Sequence, residues 1–166
     1  MKCALITLSV LTALMIAGAL LAFSQFNLSA MPMPGNIEIY LATRAKRAFV
    51  QRNSHEPIPP APPNLKVSIE DGDKLYGTEC AACHGLGGNN PTDAGRWMYP
   101  RAADLTSREV QQYSDREIFW IVKNGIRLSG MPAFGKVESD EHIWDLVHFV
   151  RTLPANASPN GAGATH

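Results

Sequence analysis

The chain has 166 residues and equal numbers of basic and acidic side chains, 15 of each, so its formal net charge is zero. No strongly basic stretch is present, which argues against nucleic acid as a partner, because such binding needs clustered lysine and arginine. Three cysteines are too few for a disulfide framework, so the core must be built on something else. The length suits one domain with additional segments at its ends.

The first segment of the chain, residues 1–30, contains an uncharged apolar run at residues 4–23. A secretory signal has about 7–15 apolar residues at its centre, whereas a membrane-spanning helix needs about twenty. The length of the run therefore predicts an uncleaved signal anchor in the lipid bilayer, although small residues at Ser24 and at 28–30 are also compatible with cleavage. Cys3 precedes the run and is interpreted as a passive thiol near the membrane.

Residues 31–63 are predicted to tether this anchor to the remainder of the chain, and they carry four basic and two acidic side chains. Within them, residues 37–52 can form a short amphipathic helix. Its apolar face is predicted to contain Ile37, Leu41, Ala45 and Ala48. The helix is interpreted either as a solvated spacer or as a basic helix that rests on lipid headgroups or on a partner protein.

A proline-rich stretch follows this helix, with five prolines among residues 57–63. Such a composition favours polyproline II, in which a stretch of this length spans about 20 Å at about 3.1 Å per residue. It is therefore predicted to be a semi-rigid spacer that lets the next domain reach a partner protein.

The chemistry of the chain centres on residues 80–84, which read Cys-Ala-Ala-Cys-His. Two thiols at this spacing, with a histidine directly after the second, fit covalent attachment of haem. Each thiol adds to one vinyl group of the porphyrin, and the imidazole becomes an axial ligand of the iron. The pattern predicts one haem c, bound covalently through Cys80 and Cys83 and ligated by His84.

Two other interpretations of the cysteine pair are less favoured. A thioredoxin-like dithiol follows a strand in a βαβ unit, and no strand-like run precedes Cys80. A structural zinc site needs further ligands, usually from a second Cys or His pair at short spacing. His142 and His148 are isolated downstream, on the polar face of a predicted helix, which also disfavours them as iron ligands.

Residues 64–154 carry ten basic and thirteen acidic side chains, a difference of −3, and are predicted to form an all-α domain. Three main helices are expected there, with long loops around a cofactor, and the sequence contains no convincing pair of strands. The residues predicted to cap the helix N-termini are Ser68 with Asp71, Ser114 with Glu117, and Ser139. The second helix is predicted to end at Asn124 and Gly125, and the third before Pro154.

The loops between these helices contain the remaining candidate ligands. Met131 lies in a Gly-Met-Pro loop, where the glycine permits close backbone approach and the proline stiffens the chain, so it is predicted to be the second axial ligand. Met98, fourteen residues after His84, is the rival methionine. The carbonyl of Pro100 is expected to accept the Nδ1–H of His84 and so to orient the ring, with Pro91 as the competing position.

Residues 64–154 resemble a class I monohaem cytochrome c. The resemblance rests on the haem motif at 80–84, on Met131 in its loop, and on the closing helix at 139–153. It covers about ninety residues. The tether before residue 64 lies outside it and resembles the anchors of membrane-bound cytochromes only in outline.

A further point of resemblance concerns the crossing of the first and last helices of the domain. Gly72 and Tyr76, eight and four residues before Cys80, match the glycine and the aromatic residue of the family at this crossing. The last helix is expected to supply the second aromatic residue, from Trp144 or Phe149.

The resemblance implies reversible one-electron transfer by a carrier that is not an enzyme. His84 and Met131 would fill both axial positions of the iron, which leaves none for oxygen or peroxide. Arg101, Trp120 and Arg127 are candidates to meet the haem propionates or to line the pocket; otherwise the arginines are surface charges and Trp120 belongs to the core. The alternatives, a peroxidase-like haem enzyme or a gas sensor, require an open axial site, and no obvious distal acid–base pair accompanies the haem.

The location follows from the haem motif, because covalent attachment to it is completed outside the cytoplasmic membrane. The haem domain is therefore expected on the periplasmic side of a single-pass anchor in the cytoplasmic membrane. Four basic residues shortly after the span oppose this topology under the positive-inside rule; they are Arg44, Lys46, Arg47 and Arg52. The expected partners are membrane redox complexes, as donor and acceptor or as a larger complex with this chain as its cytochrome subunit. Residues 155–166 are predicted to be a disordered tail.

Overall fold

The computed structural model describes residues 2–24, 29 and 31–156, and it contains no β-strand within them. The predicted all-α class is confirmed. The elements of the described residues are α1 (Lys2–Ser24), α2 (Asn36–Asn53), α3 (Leu65–Glu79), α4 (Ala81–His84), α5 (Asp93–Trp97), α6 (Arg108–Gln111), α7 (Asp115–Asn124), a 3₁₀ turn (Phe134–Lys136) and α8 (Asp140–Asn156). They fall into two compact units, the first Met1–Pro32 and the second beginning at Met33.

The first unit consists of α1, whose segment Leu5–Ser24 has a mean hydropathy of 2.4. Hydroxyl groups within it donate to carbonyls one turn earlier, as Thr12 Oγ1 does to Leu8 O at 2.9 Å, so these polar groups are satisfied inside the helix. By length and composition α1 can cross a membrane or act as a signal sequence. The side chain of Cys3, residues 28 and 30 of the alternative cleavage region, and most of the predicted tail (157–166) lie outside the described residues.

The second unit is organised by the crossing of α3 and α8. Gly72 makes this crossing close, because a Cβ atom there would overlap the Asp145 carbonyl oxygen and lie 2.9 Å from Phe149 Cβ. The ring of Tyr76 packs on that of Phe149, with centroids 5.0 Å apart. Phe149 is therefore the aromatic partner at the crossing, whereas Trp144 packs on Phe119 of α7 at 4.9 Å.

The N-terminus of α3 corrects one predicted cap. Asn64, not Ser68, caps this helix, since its Oδ1 accepts from the Val67 N–H at 3.3 Å. Ser68 lies in the first turn, where it is buried and its Oγ donates to Asp145 of α8. Asp71 pairs with Lys74 at 2.8 Å instead of completing a capping box. The helix starts earlier than predicted because Asn64 accepts from the Val67 N–H, while the Ser68 hydroxyl is engaged by Asp145 of α8.

The other two helix starts agree with the prediction. Ser114 and Glu117 form a reciprocal capping box on α7, and Ser139 Oγ accepts from the His142 N–H at 3.2 Å. The end of α8 differs, because the helix continues through Pro154.

Proline has no N–H to donate to the carbonyl of Val150. The side chain of Gln111 replaces that donor, since its Nε2 lies 3.2 Å from Val150 O. The helix therefore passes Pro154 without leaving this carbonyl unpaired.

Helix α2 packs on the same unit with a face that was not predicted. Val50 is only 1% exposed and belongs to the core, whereas Ile37 and Leu41 of the predicted apolar face are exposed. The two faces lie on opposite sides of the helix because positions 37 and 50 differ by 13 residues at 3.6 per turn. The sequence had suggested a solvated spacer or a helix that rests on lipid or on another protein. Neither interpretation included this contact of α2 with its own domain.

The proline-rich stretch also lies on the domain rather than free in solvent. Trp144 Nε1 donates to Pro59 O at 2.9 Å, and Ile58 packs against the core. Just before it, the Arg116 guanidinium donates to Ser54 O at 3.0 Å and to Glu56 O at 2.7 Å. The prediction of a spacer that extends away from the domain is corrected, because Pro59 O accepts a hydrogen bond from α8 and the two carbonyls just before the stretch accept from α7.

Candidate haem-binding site

The end of α3 and the short helix α4 bring the motif residues together. Cys80 is the last residue before α4, and its carbonyl accepts from the N–H groups of Cys83 at 3.1 Å and His84 at 2.9 Å. Gly85 then ends the turn with a φ of +74°, a left-handed conformation that glycine adopts without steric cost. A Cβ at this position would overlap the Asn90 carbonyl oxygen.

The imidazole of His84 is oriented by Ala103. Its Nδ1 lies 2.8 Å from Ala103 O, and because a carbonyl can only accept, Nδ1 carries the proton and Nε2 is the nitrogen free to bind a metal. The expected acceptors were Pro100 and Pro91, and both expectations are wrong. The Ala102 N–H donates to Gly95 O at 2.9 Å. This bond holds the carbonyl of the next residue, Ala103, beside the ring, three residues beyond Pro100.

Burial lowers the pKa of His84, while the hydrogen bond to Ala103 opposes this shift. The imidazole is therefore kept in the neutral form that a metal ligand requires. Burial also raises the pKa of the Cys80 thiol to about 12, with smaller contributions from Glu79 and Cys83. A reactive dithiol depends on a thiol with a lowered pKa, and Cys80 is not activated in that way.

Six of the predicted site residues converge on one cavity of about 310 Å³. Cys80, Cys83 and His84 line it together with Met131, Pro100 and Arg101. Apolar side chains complete much of its wall, contributed by Val122, Ile126, Pro132 and Phe134. Trp120 and Arg127 are not among the lining residues; Trp120 is partly buried against the core.

Met131 is held by a loop that closes on itself. Its carbonyl accepts from the Ile126 N–H at 3.3 Å, and its own N–H donates to Ser129 Oγ at 3.2 Å. Gly125, which ends α7 as predicted, has a φ of +66°, and a Cβ there would lie 2.7 Å from the Pro132 carbonyl carbon. The loop thus turns back towards α7 and brings Met131 to the cavity.

Met98 lies against the same loop, so the structure places both methionines at one cavity. Its side chain occupies the space beside Gly130, where a Cβ would overlap Met98 Sδ and lie 3.0 Å from its Cγ. The absence of a side chain at Gly130 therefore lets Met98 pack directly on the backbone that precedes Met131.

The lining residues suit a haem c. Two thiols, an oriented imidazole and a thioether meet at one apolar cavity, and the Arg101 guanidinium, which lines it too, makes no hydrogen bond or ion pair with any described residue. Among the described residues no cluster of three or more His, Cys, Asp or Glu side chains could hold a metal ion. A zinc site therefore finds no ligand set there.

Several residues of the site carry no signal in the sequence, among them Ala103 and Lys46. Ala103 has a side chain without any chemical signal, and it acts through its carbonyl, which every residue has. Lys46 also lines the cavity, yet it lies on α2, outside the segment that resembles a cytochrome. No spacing rule connects it with Cys80.

A family model described as "Cytochrome C oxidase, cbb3-type, subunit III" matches residues 67–150. Cytochrome c6 of Thermosynechococcus vestitus is 32% identical over 89 residues, which cover 54% of this chain and 73% of that protein. Cytochrome c6 of Thermostichus vulcanus gives the same values.

Among solved structures, a chain of the Kuenenia stuttgartiensis reducing HAO-like protein complex has a TM-score of 0.50 at 24% identity and supports the fold. The alignment covers 61% of this chain and 48% of that one. Taken with the cavity, these matches show that the chain belongs to the cytochrome c family that the subunit III model describes. It is an electron-carrying c-type cytochrome of class I fold, and its family binds haem c covalently.

Proposed function

We propose that the chain carries single electrons with one haem c, attached through Cys80 and Cys83 and ligated by His84 and Met131. The observation that carries this proposal is that all four side chains line one apolar cavity. A bound haem c would supply reversible one-electron redox chemistry between a donor protein and an acceptor protein. Thioether ligation and burial both favour the ferrous form and raise the potential.

The residues of the chain hold and protect this chemistry. Ala103 orients the His84 ring, and the Ser129 hydroxyl holds the backbone of Met131. Arg101 is proposed to meet a propionate, and Pro100 to form part of the wall. With His84 and Met131 both holding a haem, no coordination site would be left for oxygen or peroxide, so the protein would act as a carrier and not as a peroxidase-like enzyme or gas sensor.

We also propose that α1 anchors the protein in the cytoplasmic membrane, with the haem domain, residues 64–154, on the periplasmic side. The segment Leu5–Ser24 is long and apolar enough to span a bilayer. The proposed partners are redox proteins of that membrane. The match to an oxidase subunit family supports a role as the cytochrome subunit of a larger complex over a free-standing shuttle.

The ligand pair is tested by the optical spectrum of the purified oxidised protein. We expect the weak far-red charge-transfer band of sulfur bound to ferric haem, and its loss in Met131→Ala. Met98→Ala is the matched control, because Met98 lines the same cavity, and it should keep the band. Loss of the band in Met98→Ala instead would make Met98 the ligand, and a wild type that lacks the band and binds carbon monoxide when reduced would favour the enzyme or sensor.

The anchor is tested in the same preparation. The haem protein should stay in the membrane pellet after alkaline carbonate extraction and should retain the N-terminal residues of α1. Release into the supernatant, with a new N-terminus after Ser24, would mean that α1 is a cleaved signal.

A further inference from the structure

Helix α2 contributes one charged side chain to the wall of the haem cavity. Lys46 lines this cavity together with Cys80, Cys83 and His84, although it lies 21 residues before the segment that matches the family model, 67–150. Its Nζ is 3.1 Å from Glu109 Oε1, and its side chain is 34% exposed. The lysine is thus partly buried, and it lines a cavity that α2 was not predicted to contact.

The docking of α2 fixes the position of this lysine. Val50, one turn further along the helix, is buried in the core. The Arg47 guanidinium lies over the Tyr113 ring, 5.2 Å from its centroid, and Tyr99 donates a hydrogen bond to Glu38. These contacts lie on both sides of Lys46 along the helix, so they hold its backbone against the domain.

The charges at the cavity are unevenly arranged. Lys46 and Arg101 are the cations of its lining, and Glu79 is the acid. Glu109 does not line the cavity, so within its pair with Lys46 the positive group is the one nearer the proposed haem. Ferric haem carries one more positive charge than ferrous haem, and a nearby cation therefore disfavours the ferric form.

We infer that Lys46 is part of the haem pocket and raises the reduction potential, with Glu109 as the carboxylate that holds it and partly offsets its charge. This inference rests on the proposed function, since it requires haem in this cavity. On this inference, the segment before the family domain contributes a residue to the redox site. The tether then does more than hold the domain near a membrane, because the position of α2 sets a charge beside the haem.

The experiment is a redox titration of the full-length haem protein at low ionic strength, where charge effects are least screened. Lys46→Met should lower the midpoint potential, and Glu109→Gln should raise it by a smaller amount because the carboxylate is farther from the haem. Lys46→Arg keeps the positive charge and should stay close to the wild type. Lys66→Met is the matched control, since this lysine is 87% exposed on α3 and does not line the cavity.

The optical spectrum separates this inference from the proposed function. If the far-red band is intact and Lys46→Met has the wild-type potential, the inference fails while the ligand assignment stands. Equal shifts in Lys46→Met and Lys66→Met would also overturn it, because they would report net charge alone. If Lys46→Met does not mature with haem, Glu109→Gln still decides: an unchanged or lowered potential in that variant contradicts the inference.

Discussion

The crossing of α3 and α8 and the docking of α2 hold the same folded unit together by different means. At the crossing, two helix backbones touch through Gly72, and the rings of Tyr76 and Phe149 close the contact. At α2, one valine is buried, and the other contacts are polar pairs between residues far apart in the sequence, such as Lys46 and Glu109 at 3.1 Å. The first contact is decided by steric fit, the second by a few separate attachments.

The difference predicts how each region tolerates change. A close-packed backbone contact has no room for a methyl group, because the carbonyl it would meet cannot move without shifting a helix. A docked helix with exposed neighbours loses only the area of the side chain that is removed. We therefore expect substitutions that add volume to destabilise the crossing of α3 and α8, and substitutions that remove volume to destabilise the docking of α2.

The largest effect is expected for Gly72→Ala. The new Cβ would overlap the Asp145 carbonyl oxygen, so the helices must separate, and the free energy of unfolding should fall by about 3 kcal/mol. Urea unfolding of the haem protein, followed by circular dichroism, measures this change. Gly77→Ala on the same helix is the control, because nothing lies within 4 Å of its Cβ. It should raise the stability by about 0.5–1 kcal/mol through helix propensity.

If Gly72→Ala matched the stability of Gly77→Ala, the two helices would not cross as closely as this structure has them. The contrast between the two alanines therefore tests the geometry of the crossing and not the general effect of alanine in a helix.

A smaller loss is expected for Val50→Ala. This change removes two methyl groups from a side chain that is 1% exposed and should lower the free energy of unfolding by about 2 kcal/mol. Phe49→Ala removes a larger side chain next to it, but Phe49 is 68% exposed, so the change should stay within about 0.5 kcal/mol. The same urea titration compares them. The reverse order would mean that α2 does not pack through this face.

The smallest effect concerns Tyr113, under Arg47 of α2, and it depends on pH. Burial raises the pKa of the Tyr113 phenol above its ordinary value of 10.0; Glu109 adds to the shift and Arg47 opposes it. Above pH 10 the unfolded chain loses this proton before the folded protein does, so the stability contribution is complete below that pH and falls above it.

Tyr113→Phe should therefore match the wild type within about 0.5 kcal/mol at pH 7 and lose less stability between pH 9 and about pH 11. Urea midpoints across this range are the measurement, with Tyr40→Phe, an exposed tyrosine of α2, as the control. Parallel alkaline losses in the wild type and Tyr113→Phe would contradict the prediction.

Features that depend on neighbours along the chain were predictable. The motif at 80–84, the capping box of Ser114 and Glu117, and the helix stop at Gly125 are all settled within one or two turns of backbone. The crossing was predictable for another reason, since glycine and an aromatic residue four positions apart match a known family. The expected ligand Met131 was marked by its Gly-Met-Pro loop, and the structure brings it to the cavity.

Other features were settled only when distant segments met. The choice of Asn64 over Ser68 as the cap depends on where α3 meets α8, because Ser68 is used by Asp145 there. The acceptor of His84 is a backbone carbonyl at Ala103, which no side-chain pattern marks.

The amino-acid sequence by itself determined the three main helices of the second unit, the attachment motif and the family, because these follow from local spacing and side-chain type. The tertiary structure alone decided that α2 and the proline-rich stretch lie on the domain and that Lys46 lines the proposed haem cavity. Helical periodicity shows that a helix has an apolar face, but it does not say which face will be buried. That depends on the shape and charge of a surface formed by residues far away in the chain.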